Sequence, residues 1–205
     1  MLPQNITSLK GRRAKILGYE KAKNSAVLLP LITVDSELHM LFEKRSSNIN
    51  SQPAEICFPG GRRDEQDESL RETAVRECCE ELGISPDNIE VLADLDIMVS
   101  PLNVIVVPFL AYIKNHTLIN PNPDEVEYIF TVPLDYLIKN PPKSSHISLQ
   151  MAFSDDYPFE LIQKGKDYPF RAGVFEQYFY VWDKEVIWGL TARILRHFLD
   201  LIQPE

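Results

Sequence analysis

The sequence lacks the features that mark membrane, disulfide-rich and nucleic-acid-binding proteins. Its longest apolar runs, about Ala26 to Thr33 and Val104 to Ile113, are far shorter than the roughly 20 residues that a membrane helix needs. Its three cysteines, Cys57, Cys78 and Cys79, are an odd number with an adjacent pair, which favours reduced thiols over a disulfide framework. A formal net charge of −9 argues against duplex nucleic acid as a partner, because such binders neutralise phosphates with Lys and Arg.

The missing apolar segments predict the compartment, and the acidic net charge still allows phosphorylated small molecules as ligands. No apolar segment follows the basic N-terminal residues, so we expect no secretory signal, no membrane span and a cytoplasmic protein. An acidic protein can still bind a phosphorylated small molecule, because a divalent cation and a few Arg or Lys residues can reverse the local field. A nucleotide therefore fits as a ligand, and a homodimer is left open.

Length and composition predict one folded domain over residues 1–205. With 44% hydrophobic and 25% charged residues, the chain can form a sizeable core but has little room for two domains. The region 139–171 is rich in Pro, Ser, Asp and Lys, and it is predicted to be an irregular insertion on the substrate side.

Local patterns predict a fold of the α/β class. Ser69 and Glu72 form a capping-box pattern that begins a helix, and Gly83 ends it. Pro59-Gly60-Gly61 predicts a turn before that helix. Strands are expected at residues 26–33, 38–42, 56–58, 90–98, 103–113, 125–132 and 175–182, with a helical turn at 134–137 and an amphipathic helix at 187–201. Helices near the middle and the end imply an α/β/α sandwich with a mixed sheet.

Three glutamates cluster on the helix that follows Ser69. At about 100° per residue, Glu77 and Glu81 lie one turn apart with Glu80 beside them, while the apolar residues, Val75 and Cys79 included, face the core. Like charges at this spacing cost an isolated helix roughly 0.2–0.5 kcal/mol per pair, so the cluster does not serve helix stability. A hard divalent cation with oxygen ligands, such as Mg²⁺, would explain it.

Neighbouring residues help to separate a metal site from the alternative, a solvated acidic face. The helix alone fits both equally well, since charge clusters are common on surface helices. Arg76 stands four residues before Glu80 and can hold that carboxylate in place. Upstream, Gly60-Gly61 can present a bare backbone carbonyl to a metal and let a diphosphate approach closely. These neighbours favour the metal site.

The segment from Arg76 to Ile84, R-E-C-C-E-E-L-G-I, resembles the core of the Nudix box, R-E-U-x-E-E-x-G-U. In the front half of the box, the general spacing places Glu68 and Arg62 where the family has an acidic residue and a glycine. A spacer one residue longer places Asp67 and Gly61 there instead. The resemblance implies a Nudix fold and metal-dependent hydrolysis of a diphosphate linkage.

The longer spacer is similar to that of the coenzyme A pyrophosphatase branch of the family. That branch carries the upstream pattern L-L-T-x-R-S-x3-R-x3-G-x3-F-P-G-G. Arg45-Ser46 and the run from Phe58 to Gly61 match it, whereas Asn50 and Ala54 stand where the branch has arginine and glycine. The resemblance implies coenzyme A or its thioesters as substrate, with 4′-phosphopantetheine and adenosine 3′,5′-bisphosphate as products.

The resemblance also implies roles for single residues. The implied ligands of Mg²⁺ or Mn²⁺ are Glu77, Glu80, Glu81 and the carbonyl of Gly61. The implied catalytic residues are Arg76 and a general base taken either from the helix, at Glu77, or from a later loop, at Glu125 or Glu127. The candidate substrate contacts are Arg45, Gly60, Gly61, Arg62 and Arg63, of which the arginines are the nearest cations for phosphate.

Two alternative functions remain. One is a Nudix hydrolase for another substrate, such as ADP-ribose, a dinucleotide or a nucleoside triphosphate. The other is a catalytically silent Nudix domain that senses a nucleotide. The complete set of glutamates argues against silence, because a binder has no need for three mutually repelling carboxylates.

Overall fold

The structure, a computed structural model, describes residues 3–14, 16–49, 52–100, 103–171 and 173–203. Asn50, where the branch pattern has arginine, lies outside these ranges. The helices are α1 (Gln4–Thr7), α2 (Leu70–Leu82), α3 (Leu134–Lys139) and α4 (Gly189–Ile202). The strands are β1 (Lys23–Val34), β2 (Glu37–Arg45), β3 (Ile56–Cys57), β4 (Gly60–Arg62), β5 (Ile89–Asp94), β6 (Met98–Ser100), β7 (Val104–Ile113), β8 (Val126–Pro133), β9 (Lys143–Leu149), β10 (Gly173–Trp182) and β11 (Glu185–Ile187).

The chain forms two compact units. Unit 1 comprises Met1–Pro30 and Pro59–Asn122, and unit 2 comprises Leu31–Phe58 and Pro123–Glu205, so that the division falls within β1. Each unit has strands and at least one helix that packs on them, which confirms the predicted α/β class. The expectation of one domain over the whole chain stays a prediction.

Unit 1 is built around β7, which lies between β1 and β5 in the hydrogen-bonded order. β5 and β6 pair antiparallel with β7, and β4 pairs antiparallel with the first part of β1. The helix α2 packs against β4 and β7. Among the fully buried side chains of this unit are Leu28, Leu82 and Ile113, which come from β1, α2 and β7.

The predicted bounds of α2 are confirmed. The Ser69 side chain accepts a hydrogen bond from the Glu72 N–H at 3.2 Å, which satisfies one of the donors that a helix start leaves unpaired. Gly83 ends the helix with φ 63°, in the left-handed region that glycine adopts without strain. Both boundaries depend on contacts between residues close in sequence.

The predicted turn at Pro59-Gly60-Gly61 is wrong for the two glycines, which begin strand β4. Gly61 pairs with Ala26 and Gly60 with Val27 in antiparallel register. Gly60 has φ 151°, and a Cβ there would come closer than 3 Å to the backbone of both Ala26 and Val27. Glycine therefore serves here to bring two strands close together.

Unit 2 contains β2 as its central strand, paired antiparallel with the end of β1, with β3 and with β8. Its core includes Phe42, whose ring stacks on Phe58 at 5.0 Å and on Phe130 at 5.5 Å between ring centroids. β9, β10 and β11 form a separate antiparallel sheet, and α3 and α4 pack on β2 and β10 respectively.

Two predictions for the second half of the chain need adjustment. The region 139–171, expected to be irregular, contains strand β9, whose polar sequence K-S-S-H-I-S-L lacks the alternation that marks a strand. The last helix begins at Gly189 rather than residue 187, because Ile187 belongs to β11. No helix in the described part of the chain is long and apolar enough to cross a membrane.

Candidate active site

One of the three glutamates of α2, Glu81, is buried on the core side of the helix. Only 2% of Glu81 is exposed, and its Oε2 accepts a hydrogen bond from the Gly60 N–H at 2.7 Å. A buried carboxylate needs such a donor, because burial without one is costly. The prediction that Val75 and Cys79 face the core is wrong, since both are only half-buried, whereas the adjacent Cys78 is fully buried.

Glu77 lies directly against the glycine strand. A Cβ on Gly61 would come within 3 Å of all three atoms of the Glu77 carboxylate, a separation that real Cβ atoms essentially never show. The Glu77 Oε1 lies 3.0 Å from Nη2 of Arg76, and its side chain is 18% exposed. The missing side chain at Gly61 therefore makes room for the Glu77 carboxylate beside the backbone.

Arg76 joins the acidic groups of this site. Its Nη1 donates to Glu80 at 3.1 Å, which confirms the predicted i,i+4 pair. Its Nε and Nη2 donate to the two carboxylate oxygens of Asp67, each at 2.9 Å. The hydrogen bonds to Asp67, and the negative charge of Glu77, raise the pKa of Arg76 above its ordinary value. Arg76 is therefore a permanent cation in contact with three carboxylates.

Asp67, rather than Glu68, is the acidic partner that the box requires. Asp67 is 4% exposed, whereas Glu68 is exposed and its N–H donates to Glu72 at 2.6 Å. The hydrogen bonds from Arg76, with further ones from Thr73 and the Asp64 N–H, hold the pKa of Asp67 well below its usual range. The longer spacer thus describes this chain, and sequence spacing alone had offered both residues.

The two arginines of the loop differ in what they contact. Arg63 donates through Nε and Nη2 to the Asp67 carbonyl at 3.3 and 2.9 Å, and through Nη2 to the Glu68 carbonyl at 3.2 Å. Its guanidinium therefore ties the loop that precedes α2. Arg62 is exposed, and its carbonyl lies 3.4 Å from the Arg76 Nη2. Of the two arginines, Arg62 is therefore the better candidate to contact a phosphate group of a ligand.

The alternative bases, Glu125 and Glu127, belong to unit 2. The Glu125 carbonyl accepts from the Ser46 N–H at 2.7 Å, which joins the loop after β2 to the residue just before β8. Glu127 is exposed and forms an ion pair with Lys44 at 3.6 Å. The hydrogen bond fixes the backbone of Glu125, and the ion pair with Lys44 holds the carboxylate of Glu127.

Arg45 also belongs to unit 2, next to a buried acid that the sequence patterns did not single out. Glu43 is fully buried on β2, where its Oε1 accepts from the Cys57 thiol at 3.3 Å and lies 4.0 Å from the Arg45 Nη1. Nearby, Ala54 has φ 59°, in the left-handed region. The glycine of the branch pattern at this position therefore has a conformational explanation.

A shallow depression lies along the outer face of α2. Its lining residues are Glu72, Val75, Arg76, Cys79, Glu80 and Pro86. Partial burial, followed by the charge of Glu80, raises the pKa of the Cys79 thiol. A raised pKa lowers the thiolate fraction, so Cys79 is unsuited to act as a nucleophile.

The donor set suits a divalent cation in chemistry, although the glutamates do not converge. In the described ranges, no group of three or more His, Cys, Asp or Glu side chains is arranged to hold a metal ion. Glu77 and Glu80 contact Arg76, while Glu81 contacts the Gly60 N–H. Hard oxygen donors line a cradle that a Cβ at Gly61 would fill, and both features fit Mg²⁺ or Mn²⁺.

Comparison with known proteins shows which family this chain resembles. The model of the NUDIX domain matches residues 23–152. Nudix hydrolase 3 of Caenorhabditis elegans is 30% identical over 98% of this chain and 83% of its own length. The peroxisomal coenzyme A diphosphatase NUDT7 of Mus musculus is 38% identical over 55% of this chain, and the match spans about half, 48%, of that relative. A MutT/nudix family protein from Enterococcus faecalis has a similar structure, with a TM-score of 0.48, 16% identity and coverage of 98% of this chain and 75% of that one.

The chain belongs to the Nudix family. The matched domain includes the whole of the predicted box from Gly61 to Ile84. Its strands and the helices that pack on them form a mixed α/β fold, the class that the sequence predicted. Members of the family are pyrophosphohydrolases that generally use divalent cations.

Proposed function

We propose that this Nudix hydrolase cleaves the diphosphate linkage of coenzyme A or its thioesters. The products would be 4′-phosphopantetheine, or its acylated form, and adenosine 3′,5′-bisphosphate. The observation that carries the substrate is the 38% identity to a protein named as a coenzyme A diphosphatase. Arg45-Ser46 and the run from Phe58 to Gly61, which match the coenzyme A branch, support it further.

The glutamates of α2 are the residues that we propose as metal ligands. Glu77, Glu80 and Glu81, with the Gly61 carbonyl, would hold Mg²⁺ or Mn²⁺. When bound, the cation would offset charge on the diphosphate and lower the pKa of the attacking water. To bind one cation together, the carboxylates would have to turn from their present partners. The Glu80 and Glu77 side chains are 54% and 18% exposed, whereas Glu81 is 2% exposed.

The chain's own groups would carry the proton and orient the reacting atoms. The water oxygen forms a bond to one phosphorus, the bond from that phosphorus to the bridging oxygen breaks, and the water proton passes to a carboxylate. Glu77 is our first choice for that base, because it lies against Gly61 and beside Arg76. Glu125 or Glu127 is the alternative. Arg45 and Arg62 are proposed phosphate contacts, with Gly60 and Gly61 allowing close approach.

The metal site is tested by the variant Glu81→Gln. Its amide oxygen can still accept from the Gly60 N–H, so unfolding free energy should change by no more than about 1 kcal/mol. Activity should fall almost to nothing, because a carboxylate ligand is lost. Glu68→Gln, an exposed neighbour on the preceding loop, is the matched control. Normal turnover by Glu81→Gln would remove the metal-site assignment.

Chelation gives a second test of the same site. Treatment with EDTA should abolish hydrolysis without unfolding the protein, because the glutamates already have partners within the fold. Circular dichroism before and after chelation measures the fold. Global unfolding on chelation would indicate a structural metal instead.

The substrate is tested by comparing kcat/KM for coenzyme A, 3′-dephospho-coenzyme A and ADP-ribose at one magnesium concentration. That ratio measures discrimination in the transition state. A site built for coenzyme A should contact the 3′-phosphate, so its removal should lower kcat/KM. ADP-ribose hydrolysed equally well or better would reject coenzyme A in favour of the alternative Nudix substrates. Binding of these compounds without hydrolysis of any would support the nucleotide-sensing alternative.

A homodimer and a cytoplasmic location remain predictions. In the part of the chain that the structure describes, β9 pairs on one side with β10 and is exposed along nearly its whole length, so it is the edge through which we propose a second copy to pair. Light scattering after gel filtration measures the mass. The three cysteines are free, as a reducing compartment requires.

A further inference from the structure

Two lysines of unit 2 lie against one tyrosine ring on β8. The Nζ of Lys44, on β2, is 5.1 Å from the centroid of the Tyr128 ring. The Nζ of Lys184, in the turn between β10 and β11, is 5.8 Å from the same centroid. Within about 6 Å, the negative face of an aromatic ring attracts a cation. The ring therefore gathers two positive charges from residues that are far apart in sequence.

The tyrosine is held in place through its hydroxyl. That hydroxyl donates to the Glu185 Oε1 at 2.9 Å, and Glu185 is only 9% exposed. Burial, followed by this hydrogen bond, raises the pKa of Tyr128, so the phenol stays protonated and remains a donor. Because Glu185 holds the hydroxyl, the ring of Tyr128 is a fixed support for the two ammonium groups.

The charges of the two lysines are balanced differently. Lys44 forms an ion pair with Glu127 at 3.6 Å, and their side chains are 25% and 43% exposed. Lys184 is exposed, and it belongs to none of the ion pairs found among the described residues. Two cations beside one ring repel each other, and an anion between them would offset that repulsion.

We propose that Lys44, Lys184 and the ring of Tyr128 form a binding site for a phosphate monoester. A phosphate monoester carries nearly two negative charges near neutral pH, which suits a pair of ammonium groups. Lysine binds phosphate as a compact point charge on a flexible stem. Lys44 directly precedes Arg45, which matches the coenzyme A branch. We assign the monoester to the 3′-phosphate of coenzyme A, and this assignment rests on the proposed function.

Binding can be measured without hydrolysis. Coenzyme A and 3′-dephospho-coenzyme A differ only in the 3′-phosphate, and titration calorimetry in EDTA gives a Kd for each. The wild type should bind coenzyme A at least about 10-fold more tightly, as a charge-assisted contact provides. Equal Kd values would overturn the inference. Inorganic phosphate bound as tightly as coenzyme A would also overturn it, because the site would then take free phosphate.

Variants that remove or keep the two charges test the residues. Lys44→Gln with Lys184→Gln should bring the two Kd values to within about twofold, whereas arginine at both positions should keep the preference. Lys166→Gln is the matched control, because Lys166 is exposed and its Nζ lies 5.9 Å from the Phe159 ring centroid. It should bind both compounds as the wild type does. A preference that persists in the double glutamine variant would overturn the inference.

Kinetics separates phosphate binding from a structural role. Lys184→Gln is used alone, because Lys44 also contacts Glu127, an alternative base. Its KM for coenzyme A should rise roughly fivefold, with kcat and the KM for 3′-dephospho-coenzyme A changed less than about twofold. A structural role would raise both KM values alike, and that result would overturn the inference.

Failure of this site and failure of the proposed function give different results. Binding of neither compound and hydrolysis of no diphosphate would reject the proposed function and the 3′-phosphate assignment with it. Hydrolysis of coenzyme A without any preference for the 3′-phosphate would reject this site alone. Melting temperatures show that the variants are folded. If the double variant does not fold, Lys184→Gln, at an exposed turn, tests the preference alone.

Discussion

Two segments of this chain are held together in opposite ways. From Gly60 to Leu82, buried polar groups meet specific partners, such as Glu81 on the Gly60 N–H and Asp67 on Arg76. From Phe153 to Phe170, the side chains contact one another as rings, with Phe153 4.7 Å from both Tyr157 and Phe170 between centroids. The contacts of the first segment are directional and include buried charges, whereas the ring contacts of the second are apolar and lie among mostly exposed residues.

The difference shows where small changes should matter. A hydrogen bond to a buried charge fails when one atom moves, because the group left behind has no water to replace its partner. A cluster of rings can repack, because dispersion and burial have little directional demand. Substitutions in the first segment should therefore cost more, and should affect activity as well as stability.

Replacement of the two adjacent glycines should cause the largest losses of stability and activity. The two variants should differ in which of these properties they affect more. Gly60→Ala should lower the unfolding free energy by roughly 3 kcal/mol, because its φ of 151° disfavours a side chain and the new Cβ would meet the β1 backbone. Gly61→Ala should cost only about 1 kcal/mol, since it meets the Glu77 side chain, which can move. Denaturant unfolding measures both.

Gly61→Ala should affect activity much more than it affects stability. Displacement of Glu77 should lower kcat roughly 100-fold in a protein that stays folded, because small misplacements of catalytic groups are costly. Wild-type kcat in Gly61→Ala would show that Glu77 does not need its present place against the strand.

The pH dependence of stability should depend on Asp67. Arg76 above all, together with Thr73 and the Asp64 N–H, holds the pKa of Asp67 below its unfolded value, and burial opposes this. The stabilising effect is therefore complete above the unfolded pKa of about 4 and is lost as pH falls towards the lower, folded pKa. The melting temperature of the wild type should fall between about pH 4 and pH 2. The melting temperature of Asp67→Asn should fall less over the same range.

The role of Asp67 in acid unfolding can be contradicted by the same measurement. Parallel loss of melting temperature in the wild type and Asp67→Asn would mean that other carboxylates govern acid unfolding. Glu68→Gln, which removes an exposed neighbour, should follow the wild-type curve.

The aromatic segment should respond more weakly to the loss of its central ring. Phe153→Ala should lower the unfolding free energy by about 1–2 kcal/mol, less than a buried Phe, because Phe153 is 37% exposed and each ring pair contributes little. Leu161→Ala, at 80% exposure, is the control and should change stability by less than about 0.5 kcal/mol. A loss as large as that of Gly60→Ala would erase the contrast between the segments.

The smallest effect should come from a glycine that this chain lacks. Ala54→Gly should raise the unfolding free energy by up to about 1 kcal/mol, because φ 59° is strained for alanine and free for glycine, although glycine also loses more chain entropy. Coenzyme A turnover should stay the same. A changed substrate preference in Ala54→Gly would mean that the position contributes to specificity and not only to backbone conformation.

Prediction from the sequence succeeded where the deciding contacts are local. Ser69 and Gly83 bound α2 as expected, and Arg76 reaches Glu80 across one helical turn. It was less successful for strand β9, which has no alternation, and for the glycines of β4, which form a strand because β1 lies beside them. Strand pairing involves residues far apart in sequence, and no local pattern reports it.

The sequence by itself determined the Nudix family, the bounds of α2 and the identity of its acidic residues, because these depend on residue types at short spacings. Only the tertiary structure decided that Glu81 is buried on Gly60, that Asp67 rather than Glu68 holds Arg76, and that Arg63 is engaged in the loop. Each of these outcomes depends on which side chain can reach a donor across a fold. The spacing of residues along the chain does not determine how far apart two side chains lie in the folded protein.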